Sequence, residues 1–167
     1  MRSLILKAPG GLDNLAFVER DIPQPKASEL LVRVHANALN FHDYVVAMGI
    51  KPVEDRRILM SDVGGEVVAV GDGVTGFAVG DRVVSVFYRE WRTGDIATEI
   101  EANTIPGDTC DGYGAEYVAG PQAWFTRAPA GWSHAEAATL TCAGLTAWRG
   151  LVTEGKPDRK ASCRERV

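Results

Sequence analysis

Residues 29–38, Glu-Leu-Leu-Val-Arg-Val-His-Ala-Asn-Ala, alternate after Leu31. Val32 and Val34 fall on one side, Arg33 and His35 on the other, which predicts a half-buried strand. Similar runs predict strands over Arg2–Ala8, closed by the turn Pro9-Gly10-Gly11, and over Leu15–Arg20. Pro23-Gln24-Pro25 is a stiff extended connector. Asn40–Met48 reads as a short helix with Tyr44, Val45 and Met48 at helical spacing and Gly49 as its stop. Glu66–Val70 and Arg82–Val86 are valine-rich strands, and Asp111–Val118 is a turn into another. Arg89–Gly107 is polar and irregular, a long loop. Six or so short strands with glycine turns predict a mainly β fold with short helices, a barrel or sandwich. The segment up to Arg127 is long enough to bury a core of its own.

The pattern changes at Pro129. Ser133 followed three residues later by Glu136 is a capping box. Ala135, Ala137, Ala138 and Leu140 continue with strong helix propensity. Thr141–Val152 carries a second helical pattern, with Leu145, Trp148 and Val152 on one face.

Composition narrows the class. At 46% hydrophobic and 24% charged, the 167 residues are ordinary globular material. A net charge of -4 gives no basic footprint for nucleic acid. No apolar run approaches the roughly 20 residues of a membrane span. The N-terminal Met1–Ala8 is too short an apolar core for a signal peptide, and Lys7 interrupts it. Three distant cysteines, Cys110, Cys142 and Cys163, argue against a disulfide scaffold and for a reducing, cytoplasmic setting. Residues 158–167 are dense in charge and lack apolar period; they are expected to be a non-native tail, with an exposed native end as the alternative.

Gly71-Asp72-Gly73-Val74-Thr75-Gly76 spells the dinucleotide fingerprint G-x-G-x-x-G. That fingerprint requires a helix after it, so that the helix N-terminus can hold a pyrophosphate. Here Phe77–Val86 is β-branched and broken by Gly80, so the glycines predict a turn between strands.

Taken whole, Gly64-Gly-Glu-Val-Val-Ala-Val-Gly71 with Val74, Phe77, Gly80-Asp81 and Val83 resembles the N-terminal domain of medium-chain dehydrogenases/reductases. Residues 138–151, Ala-Thr-Leu-Thr-Cys-Ala-Gly-Leu-Thr-Ala-Trp-Arg-Gly-Leu, are similar to the helix that leads into the second half of that family, especially in its quinone-oxidoreductase-like and alcohol-dehydrogenase-like members. The resemblance spans about residues 1–155. It implies a GroES-like catalytic barrel over 1–127 and, over 128–157, a helical stub of a missing α/β Rossmann domain. It also implies hydride transfer between NADP or NAD and a small-molecule carbonyl, enone, quinone or alcohol. By the same resemblance Thr146 lies beside the nicotinamide, although a helix threonine bonding back to its own turn is the simpler reading. The turn Asn40-Phe41-His42-Asp43, with Tyr44, would border nicotinamide and substrate. Asn40 would donate hydrogen bonds to a carbonyl or amide, and His42 or Tyr44 would supply a proton. Exposure for His42, packing at the barrel edge for Tyr44 and capping for Asp43 stand beside those roles.

Zinc-dependent relatives use Cys, His and Cys at a catalytic metal. The matching positions here are Asn40, Asp62 and Cys142, and the loop of a structural zinc offers only Cys110 between 87 and 113. The expectation is no metal at either place. Trp91 suits a lid or a subunit contact. The full-length form, with a homodimer left open, would be the active one. This chain alone would bind cofactor weakly, would not turn over, and would self-associate through Leu140, Leu145, Trp148 and Leu151. A stand-alone GroES-like binding or interaction module, without catalysis, is the alternative.

Overall fold

The computed structural model describes residues 1–91 and 104–155. Its elements run β1 (Arg2–Leu6), β2 (Leu15–Glu19), β3 (Glu29–Ala38), α1 (Phe41–Ala47), β4 (Arg57–Ile58), β5 (Asp62–Val70), β6 (Arg82–Ser85), β7 (Tyr117–Pro121), β8 (Phe125–Arg127) and α2 (His134–Ala138). A wound stretch comes next: a π-helical turn Leu140–Gly144, an α-helical turn α3 (Leu145–Trp148) and a second π-helical segment Arg149–Glu154. Residues 158–167 and the middle of the predicted loop lie outside the described residues.

The strands form two antiparallel sheets, ordered β2-β1-β4 and β7-β3-β5-β6-β8. The bridge Ser3↔Ala115 joins the first sheet to the segment that enters the second. Alternation along β3 and β5 puts Leu30, Val32, Val63 and Val67 inside with Val83, Tyr113 and Phe125, the main core. A smaller core gathers Leu6, Val46, Ala47, Leu59 and Met60 under α1. The fold is thus mainly strands with short helices, as the alternation predicts.

β5 and β6 pair antiparallel, with Gly64 opposite Val84 and Glu66 opposite Arg82. The G-x-G-x-x-G run therefore lies in the connection between them and opens no helix. Gly71 serves close packing there: a Cβ would stand 1.8 Å from the Lys26 carbonyl oxygen.

Three details differ from the sequence reading. β5 begins at Asp62, because Ala38 and Asn37 of β3 pair with Asp62 and Val63. β4 and β8 are too short to carry a pattern. The buried face of α1 is Asp43, Val46 and Ala47, while Tyr44 and Met48 are exposed. A buried aspartate replaced the apolar residue that the helical spacing sought, and the face turned with it. Leu145, Trp148 and Leu151 are 60–64% exposed, an apolar face with no cover among the described residues.

Candidate active site

Asp43 is buried at the third position of α1 and holds the start of that helix. Its Oδ2 accepts the Asn40 backbone N–H at 2.8 Å, and its Oδ1 accepts the Ser61 N–H at 2.9 Å. The capping role expected for Asp43 is therefore present. The Asn40 side chain reaches across to β5: Nδ2 donates to Asp62 Oδ2 at 2.9 Å and to Ser61 Oγ at 3.2 Å. Both hydrogens of this amide are engaged internally. Asn40 Oδ1 faces the first-turn N–H of the capping box and keeps a second lone pair.

Asp62 is the hub of the cluster. It is fully buried at the head of β5, and its Oδ2 also accepts the Cys142 N–H at 3.1 Å. Its Oδ1 is buried without a hydrogen-bond partner. Burial pushes its pKa up to about 6, against the pull of the Asn40 and Cys142 hydrogen bonds, with the Asp43 charge adding to the rise. Burial also pushes the Cys142 thiol up, with Asp62 and Asp43 contributing.

The wound stretch is pinned over this cluster. Thr141 Oγ1 donates to the Ser85 carbonyl at 2.9 Å, and Ser85 Oγ accepts the Val63 N–H at 3.1 Å. Thr146 Oγ1 donates to the Cys142 carbonyl at 2.6 Å, the bond back to its own turn. Asn40 and Thr146 are therefore connected through Asp62 and Cys142.

His42 and Tyr44 belong to other contacts. His42 Nε2 lies 3.5 Å from Asp108 Oδ2, without hydrogen-bond alignment, and Lys51 closes on the same oxygen. The His42 ring meets Phe87 edge-on at 5.7 Å. From there the rings step to Tyr88 at 5.1 Å and Trp91 at 5.7 Å, and Arg149 lies over Trp91 at 5.7 Å. This ladder joins the α1 side to the wound stretch. Tyr44 is 49% exposed beside Phe41, at 5.9 Å, so it is a surface residue rather than barrel packing.

Sequence reasoning leaves Asp62 without a role. The available signal is an acid directly ahead of the valine run Val63–Val70, where a buried strand has no use for a solvated charge. It also passes over Arg89, whose buried guanidinium lies 4.6 Å from the Tyr113 ring and 4.1 Å from the Trp124 ring. That arrangement ties the long loop to the core.

Known proteins share this arrangement of elements. The zinc-type alcohol dehydrogenase-like protein C1773.06c of Schizosaccharomyces pombe is 33% identical over 154 residues, covering 90% of this chain and 44% of that protein. The chloroplastic quinone-oxidoreductase homolog of Spinacia oleracea is 35% identical over 146 residues, 85% of this chain and 39% of its own length. Among solved structures, a putative alcohol dehydrogenase from Sinorhizobium meliloti superposes with a TM-score of 0.81 at 34% identity, over 93% of this chain and 48% of that one. A mycobacterial protein solved in complex with NADPH superposes with a TM-score of 0.70 at 29% identity, over 95% and 43%. The chain thus spans less than half the length of these relatives. The family model of the alcohol dehydrogenase GroES-like domain matches residues 26–130, and the chain belongs to that family, among the medium-chain dehydrogenases/reductases.

Proposed function

We propose that this chain is the catalytic half of a nicotinamide-dependent oxidoreductase that reduces a carbonyl, enone or quinone, or oxidises an alcohol, without zinc. The observation that carries this reading is the closed network of Asn40, Asp62 and Cys142 where zinc-dependent relatives place their metal ligands. Zinc asks for thiolate, imidazole or carboxylate donors with free lone pairs. Here one position is an amide whose nitrogen donates to Asp62, one is a carboxyl that takes two donors on Oδ2 and has its Oδ1 buried, and one is a thiol whose pKa burial raises. This donor set does not fit the ion, and no step is routed through it.

The nicotinamide, bound, supplies or accepts the hydride. The relative solved with NADPH and a solved NAD-dependent alcohol dehydrogenase, 33% identical to this chain, support that cofactor class. Its carboxamide fits two acceptors that the network leaves available, the second lone pair of Asn40 Oδ1 and the lone pairs of Thr146 Oγ1. Asn40 acts as acceptor rather than donor, because Ser61 and Asp62 take both its hydrogens. The proton comes from His42, steadied by buried Asp108, or from Tyr44 at the rim. The rings of Phe87, Tyr88 and Trp91 offer an apolar wall to an unsaturated substrate.

The test is nicotinamide oxidation by the full-length protein, after chelator dialysis, with an enone and a quinone as substrates. Turnover is expected to survive chelation, and Asn40→Ala is expected to lower kcat/KM by about a hundredfold. Loss of activity on chelation with recovery on added zinc would overturn the zinc-free reading. A folded full-length protein that oxidises neither NADH nor NADPH would favour the binding-module alternative.

A further inference from the structure

A second polar cluster lies against α2 and takes no part in the network above. β3 slips register between Val34 and Ala36, which pair with Gly65 and Gly64, so His35 is the extra residue of a bulge. Arg33 pairs with Glu66 in the strand register, and His35, two residues on, lies on that same face of the sheet. Gly64 then lets α2 settle on β5: a Cβ there would stand 2.3 Å from the His134 carbonyl oxygen. The result is a His35–His134 pair with ring centroids 4.3 Å apart and planes 7° from parallel. Glu66, two residues along the same face of β5, completes the group, and one donor atom from each of the three lies within 4.8 Å of the others.

The three side chains have unspent donors. His134 Nδ1 is buried and has no hydrogen-bond partner. Among the described residues neither His35 nor Glu66 makes a side-chain hydrogen bond or ion pair. Arg33 and Arg82 stand opposite Glu66 in the two neighbouring strands, yet neither pairs with it; Arg82 donates instead to the Trp132 carbonyl. A carboxylate passed over by two arginines, beside two imidazoles, has the composition of a transition-metal site.

We propose that His35, Glu66 and His134 bind one divalent transition-metal ion, of the zinc, cobalt, nickel or copper class. Two imidazoles and one carboxylate suit those ions and disfavour calcium and magnesium, which prefer oxygen donors. Zinc–nitrogen bonds of about 2.0–2.1 Å in tetrahedral geometry require donors roughly 3.3 Å apart. The parallel rings must therefore tilt towards each other, and the exposed His35 ring is free to do so. Burial, with the nearby His35 and Arg82, holds the His134 pKa below its ordinary value, against the opposing pull of Glu66. A water completes the coordination.

Cobalt(II) and zinc(II) titrations of the chelator-stripped chain test the site, the first by visible absorption and the second by calorimetry. One ion per chain with micromolar affinity is expected. His35→Asn, on the exposed side, and Glu66→Gln should each weaken it about tenfold or more. Cys142→Ser should leave it unchanged, and circular dichroism confirms that each variant is folded. No binding, or binding indifferent to His35→Asn, would overturn the proposal. Binding lost in Cys142→Ser but kept in His35→Asn would place the ion in the Asn40–Asp62 network and overturn it as well.

Discussion

Asp62 and Glu66 stand on one face of the same strand, about 13 Å apart, and their surroundings differ in kind. Asp62 is sealed in: Asn40 and the Cys142 N–H occupy one carboxyl oxygen, and the other is buried without a partner. Glu66 is half-buried, unpaired, and set beside two imidazoles. Between them Gly64 carries the first residue of α2. The contrast shows that a carboxyl's chemistry is set less by its strand than by what the facing helix brings: a backbone N–H over Asp62, a histidine ring over Glu66. One cluster carries an amide, bonded to its carboxyl, where a metal would need a ligand; the other sets two imidazoles beside an unpaired carboxylate.

Because both clusters depend on the seat at Gly64, the largest effect is expected there. In Gly64→Val the new Cβ meets a backbone oxygen, which cannot swing aside as a side chain would. We expect a loss of about 4 kcal/mol in denaturant unfolding, with metal affinity and the Asp62 network disturbed together. A variant of unchanged stability would show that α2 does not rest on this strand.

Asp62→Asn separates the clusters by pH. The carboxyl has a folded pKa of about 6 against an ordinary value of 3.8. Between those values the folded chain binds more protons than the unfolded one, so this group's contribution is complete below the lower value and is lost as pH rises through the upper. The difference amounts to about 3 kcal/mol at most. Asp81, Glu116 and Glu136 act in the opposite sense. Hydrogen bonds hold all three below their ordinary values, first from the Ala78 N–H, the Arg2 N–H and the Ser133 side chain respectively, so their contributions disappear as pH falls. Comparing wild type with Asp62→Asn from pH 4 to 7 isolates the Asp62 contribution, which weakens with rising pH. An unchanged slope would mean that Asp62 ionises as a solvated acid does.

The strands are legible in the sequence because alternation is a local signal. β3 is read from Glu29 to Ala38 without error, and the Ser133–Glu136 box places the start of α2. The glycine fingerprint is ruled out by the β-branched run after Gly76, and the antiparallel pairing of β5 with β6 agrees. The site is less legible because its hub is made by distant contacts. Nothing near Asp62 in the chain announces a bond from Cys142, 80 residues away. The bonds of Asn40 are hidden for the same reason: its hydrogens go to Ser61 and Asp62 across the fold. His35 reads as the polar side of an alternating strand, the face it shares with Arg33 and Glu66, and its ring partner His134 lies on α2, far along the chain.

A smaller effect is expected from Thr141→Val. The Thr141 hydroxyl is buried and bonded to the Ser85 carbonyl, so its loss leaves that oxygen without this partner, at a cost of about 1.5 kcal/mol. It should also slacken the turn that presents the Cys142 N–H, and so change the Asp62 pH slope while leaving metal affinity alone. A change confined to metal affinity would reverse the assignment of which anchor serves which cluster.

Ser133→Ala probes the other anchor and should cost least. Ser133 Oγ accepts the Glu136 N–H at 3.2 Å, and Glu136 Oε2 accepts the Ser133 N–H at 2.7 Å, so removing the hydroxyl breaks half of the cap, worth about 1 kcal/mol. The next residue is His134, whose position depends on that first turn, whereas Cys142 is held eight residues later by Thr141 on Ser85. The expected outcome is weaker cobalt binding with an unchanged Asp62 pH slope, the mirror image of Thr141→Val. If instead both readouts move together in both variants, the segment from Ser133 to Cys142 shifts as one rigid piece. The two clusters on β5 would then be coupled through the helix rather than independently anchored.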